Sequence, residues 1–325
     1  MCPRTGKLLC LIYLFEHDDD AFNRWEAGQK IAQQLILNNQ LPDQALIDSY
    51  KRLLEDSSLD PAFIELALTL PAETHLHEQV DEVNPEIIHQ ARQSYKKALA
   101  NALQDSWQST YKKLYVNVAY SPDAQSAGRR ALKNLALSML ALAEDQSAQD
   151  LAQAQYELAN NMTDRLSALS ILVNQELPCA QKCLDDFYAR FEKDDLVIDK
   201  WFTTQATRQT PHRTKIIDEV LKLREHRAFN INNPNRARSL IHSFCIGNPA
   251  NFHQIDGSGY AFWVEQVLTL NKINPQVAAR LARALDRWKK FAQPYQSLMR
   301  EALEQVAKEP KLSPDVQEVI NKALL

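Results

Sequence analysis

Glycine scarcity is the feature that most limits what this chain can fold into. Only six glycines occur in 325 residues, where an ordinary soluble protein carries roughly 7%. Hairpin turns, strand bulges and phosphate-cradling loops all draw on residues that tolerate positive φ. A chain this poor in glycine has few ways to build them, which favours an all-helical protein.

Proline points the same way. Of the fourteen prolines, those of Asp60-Pro61, Asn84-Pro85, Ser121-Pro122, Thr210-Pro211, Asn233-Pro234, Asn248-Pro249, Asn274-Pro275 and Ser313-Pro314 follow a residue whose side chain can accept from free helix N–H groups. Proline suits the first helical position, where its missing N–H had no partner anyway. The dipeptide is therefore a repeated helix-start signal.

Periodicity fills in the helices between these starts. In 129–143, Leu132, Leu135, Ala136, Met139 and Leu142 form one stripe, and Leu137 and Leu140 widen it. That helix is expected to be buried on two sides. In 179–193, Ala180, Leu184, Phe187 and Phe191 face one way, with Lys182, Asp185, Asp186 and Arg190 on the wet side. In 160–173, Thr163 reads as an N-cap before Leu166, Leu169 and Val173. The pattern predicts roughly fifteen or more short helices on short connectors. No strict repeat is visible, so the expected fold is an irregular α-solenoid or superhelix of armadillo or HEAT type. Strand candidates are few, at 8–15 and 114–120.

The remaining composition excludes more than it assigns. A net charge of −4 gives no general pull toward nucleic acid or an anionic membrane. The five cysteines are too few, and odd in number, for a disulfide framework; Cys179 and Cys183 read as small buried side chains. The apolar run 8–15 is too short to span a bilayer, which takes about 20 residues. It meets Glu16–Asp20 rather than a small-residue cleavage site. A cytoplasmic protein is the expectation.

A search for chemistry finds little. The closest approach to H-E-x-x-H is His77–Asp81, with Asp81 where the second histidine would stand. Residues 256–260 (DGSGY) match neither phosphate-loop pattern and read as a sharp turn into a helix. Basic residues cluster at 208–215, at Arg236 and Arg238, and at 280–290. Arg280, Arg283 and Arg287 fall at helical spacing, which fits a solvated face or the lining of an anionic cleft rather than a nucleic-acid groove.

Several longer stretches do carry a resemblance. HDDDAFNRWEAGQ (17–29), ANNMTDRLSAL (159–169), DKWF (199–202), NPNRARSLI (233–241), NPANFHQIDGSGYAFWVE (248–265) and NPQVAARL (274–281) are similar, in order, to the C-terminal helical domain of the M1 zinc aminopeptidases. The resemblance covers roughly residues 14–325 and leaves residues 1–13 as a segment outside it. It implies an all-α superhelix that caps a zinc site and lines a substrate cavity. The zinc would lie in a separate N-terminal catalytic domain, since H-E-x-x-H and G-x-M-E-N do not occur in this chain. It also implies that the partner is a peptide substrate. By motif position, Arg238 and Arg280 are the candidate cavity-wall residues, reaching toward peptide carbonyls or the terminal carboxylate; otherwise they are surface arginines held by neighbouring carboxylates. No cofactor is expected in this chain, and none of its residues is expected to be catalytic. The alternative is a free-standing helical scaffold for protein–protein interaction, which would lack a large exposed apolar face.

Overall fold

The computed structural model describes residues 3–116, 118–143, 146–209 and 215–325. The expected start at Thr210-Pro211, Cys2, Asn117 and most of the basic cluster 208–215 lie outside them. Helix makes up 75% of the chain, and no strand is present among the described residues. The chain divides into two compact units. One comprises the chain up to Gln79 together with Ile87–Cys179; the other comprises Val80–Glu86 and Ala180–Leu325.

Within each unit, consecutive helices pack as neighbours. In the first, Pro3–His17 lies on Ala21–Leu37, Gln104–Leu114 on Ala124–Leu142, and Gln146–Leu158 on Met162–Asn174. Its core gathers Phe15, Tyr50, Tyr95 and Trp107, all almost fully buried, and the Tyr50 and Tyr95 hydroxyls meet at 3.2 Å. In the second, Ser258–Ile273 packs on Pro275–Ala282, and Tyr295–Ala307 on Pro314–Leu324. Its core holds Phe202, Phe244, Phe252 and Trp263. Val83 pairs with Phe291 in a bridge, donating to the Lys290 carbonyl at 2.7 Å and accepting from Ala292 at 2.9 Å.

Most of the proline signals open helices. Asp60 accepts from the Ala62 N–H at 2.9 Å, Asn233 from Asn235 at 3.0 Å, Asn274 from Val277 at 3.2 Å and Ser313 from Val316 at 3.4 Å. Helix Pro85–Ala102 also begins at its proline. The start expected at Pro122 falls two residues later: Asp123 caps helix Ala124–Leu142, accepting from Ser126 at 2.9 Å. Thr163 lies inside its helix, and the cap is Asn161, whose Oδ1 receives the Asp164 N–H at 2.9 Å.

Two further expectations are corrected. Residues 8–15 are helical, within Pro3–His17; a short unbroken apolar run does not by itself distinguish strand from helix. The described part of 114–120 pairs with no strand, and Tyr115, Val116, Val118 and Tyr120 are exposed. Helix 129–143, in contrast, is buried on two sides as its widened stripe implied, from Leu132 through Ala136, Leu137, Met139 and Leu140.

Candidate functional site

The segment 233–263 builds its site from a broken helix. Asn233 opens the turn Pro234–Ala237, and the backbone then widens into a π-helical turn over Arg238–His242. The Arg238 carbonyl accepts from both the N–H and the hydroxyl of Ser243, the latter at 3.2 Å. Such a turn inserts extra backbone into a helix and recurs at functional sites.

The two arginines of NPNRAR take opposite fates. Arg236 is 3% exposed. Its Nε donates to Asp199 Oδ1 at 2.6 Å, its Nη2 to Asp195 Oδ1 at 3.0 Å, and its Nη1 to the Ala228 carbonyl. Its guanidinium also sits 5.2 Å from the centre of the Phe202 ring. A buried charge needs such partners, and Arg236 is a structural clamp. Arg238 is exposed, and its guanidinium donates to Asn235 Oδ1 at 3.5 Å, the outer limit of a hydrogen bond.

Arg280 stands on helix Pro275–Ala282, which Asn274 caps. Arg238 and Arg280 line one small pocket, with Ala237, Ile241, Leu270, Val277 and Leu281 as its apolar floor and His242 beside them. No ion pair of either arginine is seen among the described residues. The cavity volume is about 10 Å³, space for about one water, so the pocket by itself encloses no peptide. Burial, and then the charges of Arg280 and Arg238, hold the His242 imidazole below its usual titration range.

The basic run 280–290 is not one helix. It ends at Ala282 and continues as tight turns over Arg283–Leu285 and Trp288–Lys290, so Arg280, Arg283 and Arg287 do not share a helical face. Trp288 is buried, donating from its indole to the Ala323 carbonyl at 2.8 Å, and offers no stacking platform. Residues 256–260 are a packing joint. Gly257 has φ 74°, and a Cβ on Gly259 would fall 2.0 Å from the Phe252 carbonyl oxygen. Among the described residues, no three His, Cys, Asp or Glu side chains converge as a metal ligand set. His75 and His77 lie on the six-residue helix Glu73–Glu78.

A family model described as a domain of unknown function (DUF3458_C) with ARM repeats matches residues 10–325. The chain belongs to this family. It is the C-terminal helical domain of the M1 aminopeptidases, and the pairing of consecutive helices in each unit is what ARM repeats require. Aminopeptidase N of Escherichia coli (strain K12) is 37% identical over 323 residues, covering 97% of this chain and 37% of that protein. Aminopeptidase N of Caulobacter vibrioides is 36% identical over 319 residues, covering 96% of this chain and 36% of that one. The chain thus spans little more than a third of the length of these relatives. A crystal structure of Legionella pneumophila aminopeptidase A in complex with aspartic acid superposes with a TM-score of 0.88 at 29% identity, over 98% of this chain and 38% of that one. The family model begins at residue 10, inside helix Pro3–His17.

Sequence reasoning missed His242. The signal was available: it follows Arg238 by four residues, about one helical turn, on a segment already marked as basic. Its neighbour across the pocket, Arg280, is distant in the chain, so spacing alone does not bring the two together.

Proposed function

We propose that this ARM-repeat chain is the substrate-enclosing domain of a zinc aminopeptidase that releases N-terminal residues from peptides. On this reading the zinc belongs to a separate catalytic domain, the helical domain closes over that site, and Arg238 and Arg280 form part of the cavity wall. The observation that carries it is the meeting of two guanidiniums at one pocket in a domain whose relatives are named aminopeptidases. A guanidinium fork holds a carboxylate or carbonyl oxygens with defined geometry.

The test is kinetic, in an intact aminopeptidase containing this domain. Arg238→Ala and Arg280→Ala should each raise KM for tri- and tetrapeptides with little change in kcat, because they act away from the bond being cut. Unchanged KM in both would overturn the cavity role.

The scaffold reading would lack an exposed apolar face, and helix Pro3–His17 speaks against it by leaving Leu9 (65% exposed), Tyr13 (66%) and Leu14 (38%) open. Native mass spectrometry of the endogenous protein separates the two readings. A free 37.1 kDa species without an associated zinc polypeptide would favour the scaffold; a larger aminopeptidase, or a complex with one, supports the enzyme.

A further inference from the structure

The pocket between helix Pro275–Ala282 and the π-turn holds three groups able to carry positive charge and no acid. Arg238 and His242 come from the π-turn, and Arg280 from the facing helix. The carboxylates on a neighbouring helix, Asp195 and Asp199, are already bound by Arg236. On helix Ile216–Arg224, Glu219 bonds to Lys222 at 3.0 Å, and Arg224 to Glu265. The charges felt at the His242 ring are those of Arg280 and Arg238, and both repel its protonated form.

We infer that His242 is a proton-linked specificity residue of this pocket, coupling the capture of a carboxylate-terminated peptide to uptake of one proton. A carboxylate entering between the arginines neutralises the charge that disfavours the imidazolium and offers it an acceptor. The ring then binds a proton from solvent. No bond to the ligand forms or breaks beyond these charge-assisted hydrogen bonds. The carboxylate meets the exposed Arg238 and Arg280 at the pocket's mouth, and the rest of the peptide lies outside the small cavity. The inference rests on the cavity-wall reading of Arg238 and Arg280 and adds a residue and a pH dependence to it.

The sign follows from linkage. In the free protein His242 is neutral near neutral pH, and a bound anion raises its proton affinity. Binding therefore strengthens as pH falls through the bound-state value and levels off below the free-state value. A rise of about one pKa unit gives about tenfold tighter binding. The ligand carboxylate stays ionised above about pH 5.

The experiment is calorimetric titration of the full chain with trialanine, trialanine amide, acetate and inorganic phosphate at about pH 5.5 and about pH 8. The His242 imidazole is followed in parallel by NMR. Trialanine should bind about tenfold more tightly at the lower pH, with an upward shift of the His242 titration, and trialanine amide should show neither effect. His242→Gln should lose the pH dependence, its affinities for trialanine at the two pH values becoming equal. Retained pH dependence in His242→Gln overturns the role of His242 alone, while the arginine reading stands. Undiminished trialanine binding in both Arg238→Ala and Arg280→Ala overturns the arginine reading and this inference with it. Equal, equally pH-dependent binding of phosphate and trialanine would show a general anion site and overturn the peptide specificity.

Discussion

At the scale of single residues, buried polar groups carry the sharpest consequences. Lys133 Nζ lies 2.7 Å from Asp164 Oδ2, with both side chains nearly buried. Asn161 donates to the same carboxylate oxygen at 3.0 Å, and Gln155 ties Asn134 to the Asp164 carbonyl at 2.9 and 3.1 Å. Removing one partner strands a charge away from water. Lys133→Ala should therefore cost about 3–5 kcal/mol, and the joint change Lys133→Met with Asp164→Leu much less. Urea unfolding of the three proteins measures this. Equal losses in the single and double variants would mean that the pair itself, rather than the stranded charge, sets the cost.

Glu73 gives a pH dependence of defined sign. Burial pushes its carboxyl up, but the bond from His89 at 2.7 Å and the charges of His89, Arg92 and His77 outweigh it, and the group is held below the usual range. A depressed folded value contributes stability above the unfolded value, about 4.3, and that contribution is lost as pH falls through the folded value. Glu73→Gln should flatten the decline in urea stability between about pH 5 and about pH 3. An unchanged slope would show that other carboxylates dominate acid unfolding.

At the scale of elements, the same dipeptide does two different jobs. Asn274 caps a helix through the Val277 N–H, and Asn274→Ala should cost about 1 kcal/mol. Asn248 also precedes a proline, yet its side chain makes no cap. It is fully buried, and its amide donates to the Ala206 and Arg208 carbonyls, both at 3.0 Å. Asn248→Ala leaves a buried acceptor unsatisfied, at about 1–3 kcal/mol, beyond the bonds lost. The prediction is a clearly larger loss at Asn248 than at Asn274, measured by chemical denaturation of the two variants. Sequence spacing marks both as helix starts, because the cap signal depends on local backbone geometry. It does not reveal which asparagine is turned inward, because that depends on a segment about 40 residues away.

At the scale of the whole molecule, each of the two units has its own aromatic core. Calorimetric unfolding should accordingly depart from a two-state transition, with the measured enthalpy exceeding the van't Hoff value. A single transition with equal enthalpies would show that the units unfold together.

The sequence by itself determined the helical class and the place of most helix starts. Glycine scarcity, Asx-Pro caps and apolar stripes act within a few residues, over the range on which helix formation depends. It also marked Arg238 and Arg280 through motifs that persist in order along the chain. Tertiary structure decided which basic residues are available. Arg236 and Arg238 are two positions apart and chemically identical, yet one is buried against Asp195 and Asp199 while the other meets Arg280 and His242 at a pocket. That division depends on the π-turn and on charges contributed from helices some 40 residues away in either direction. Pairings at such distances are set by packing, because loop closure and burial select them while local propensity is indifferent to them.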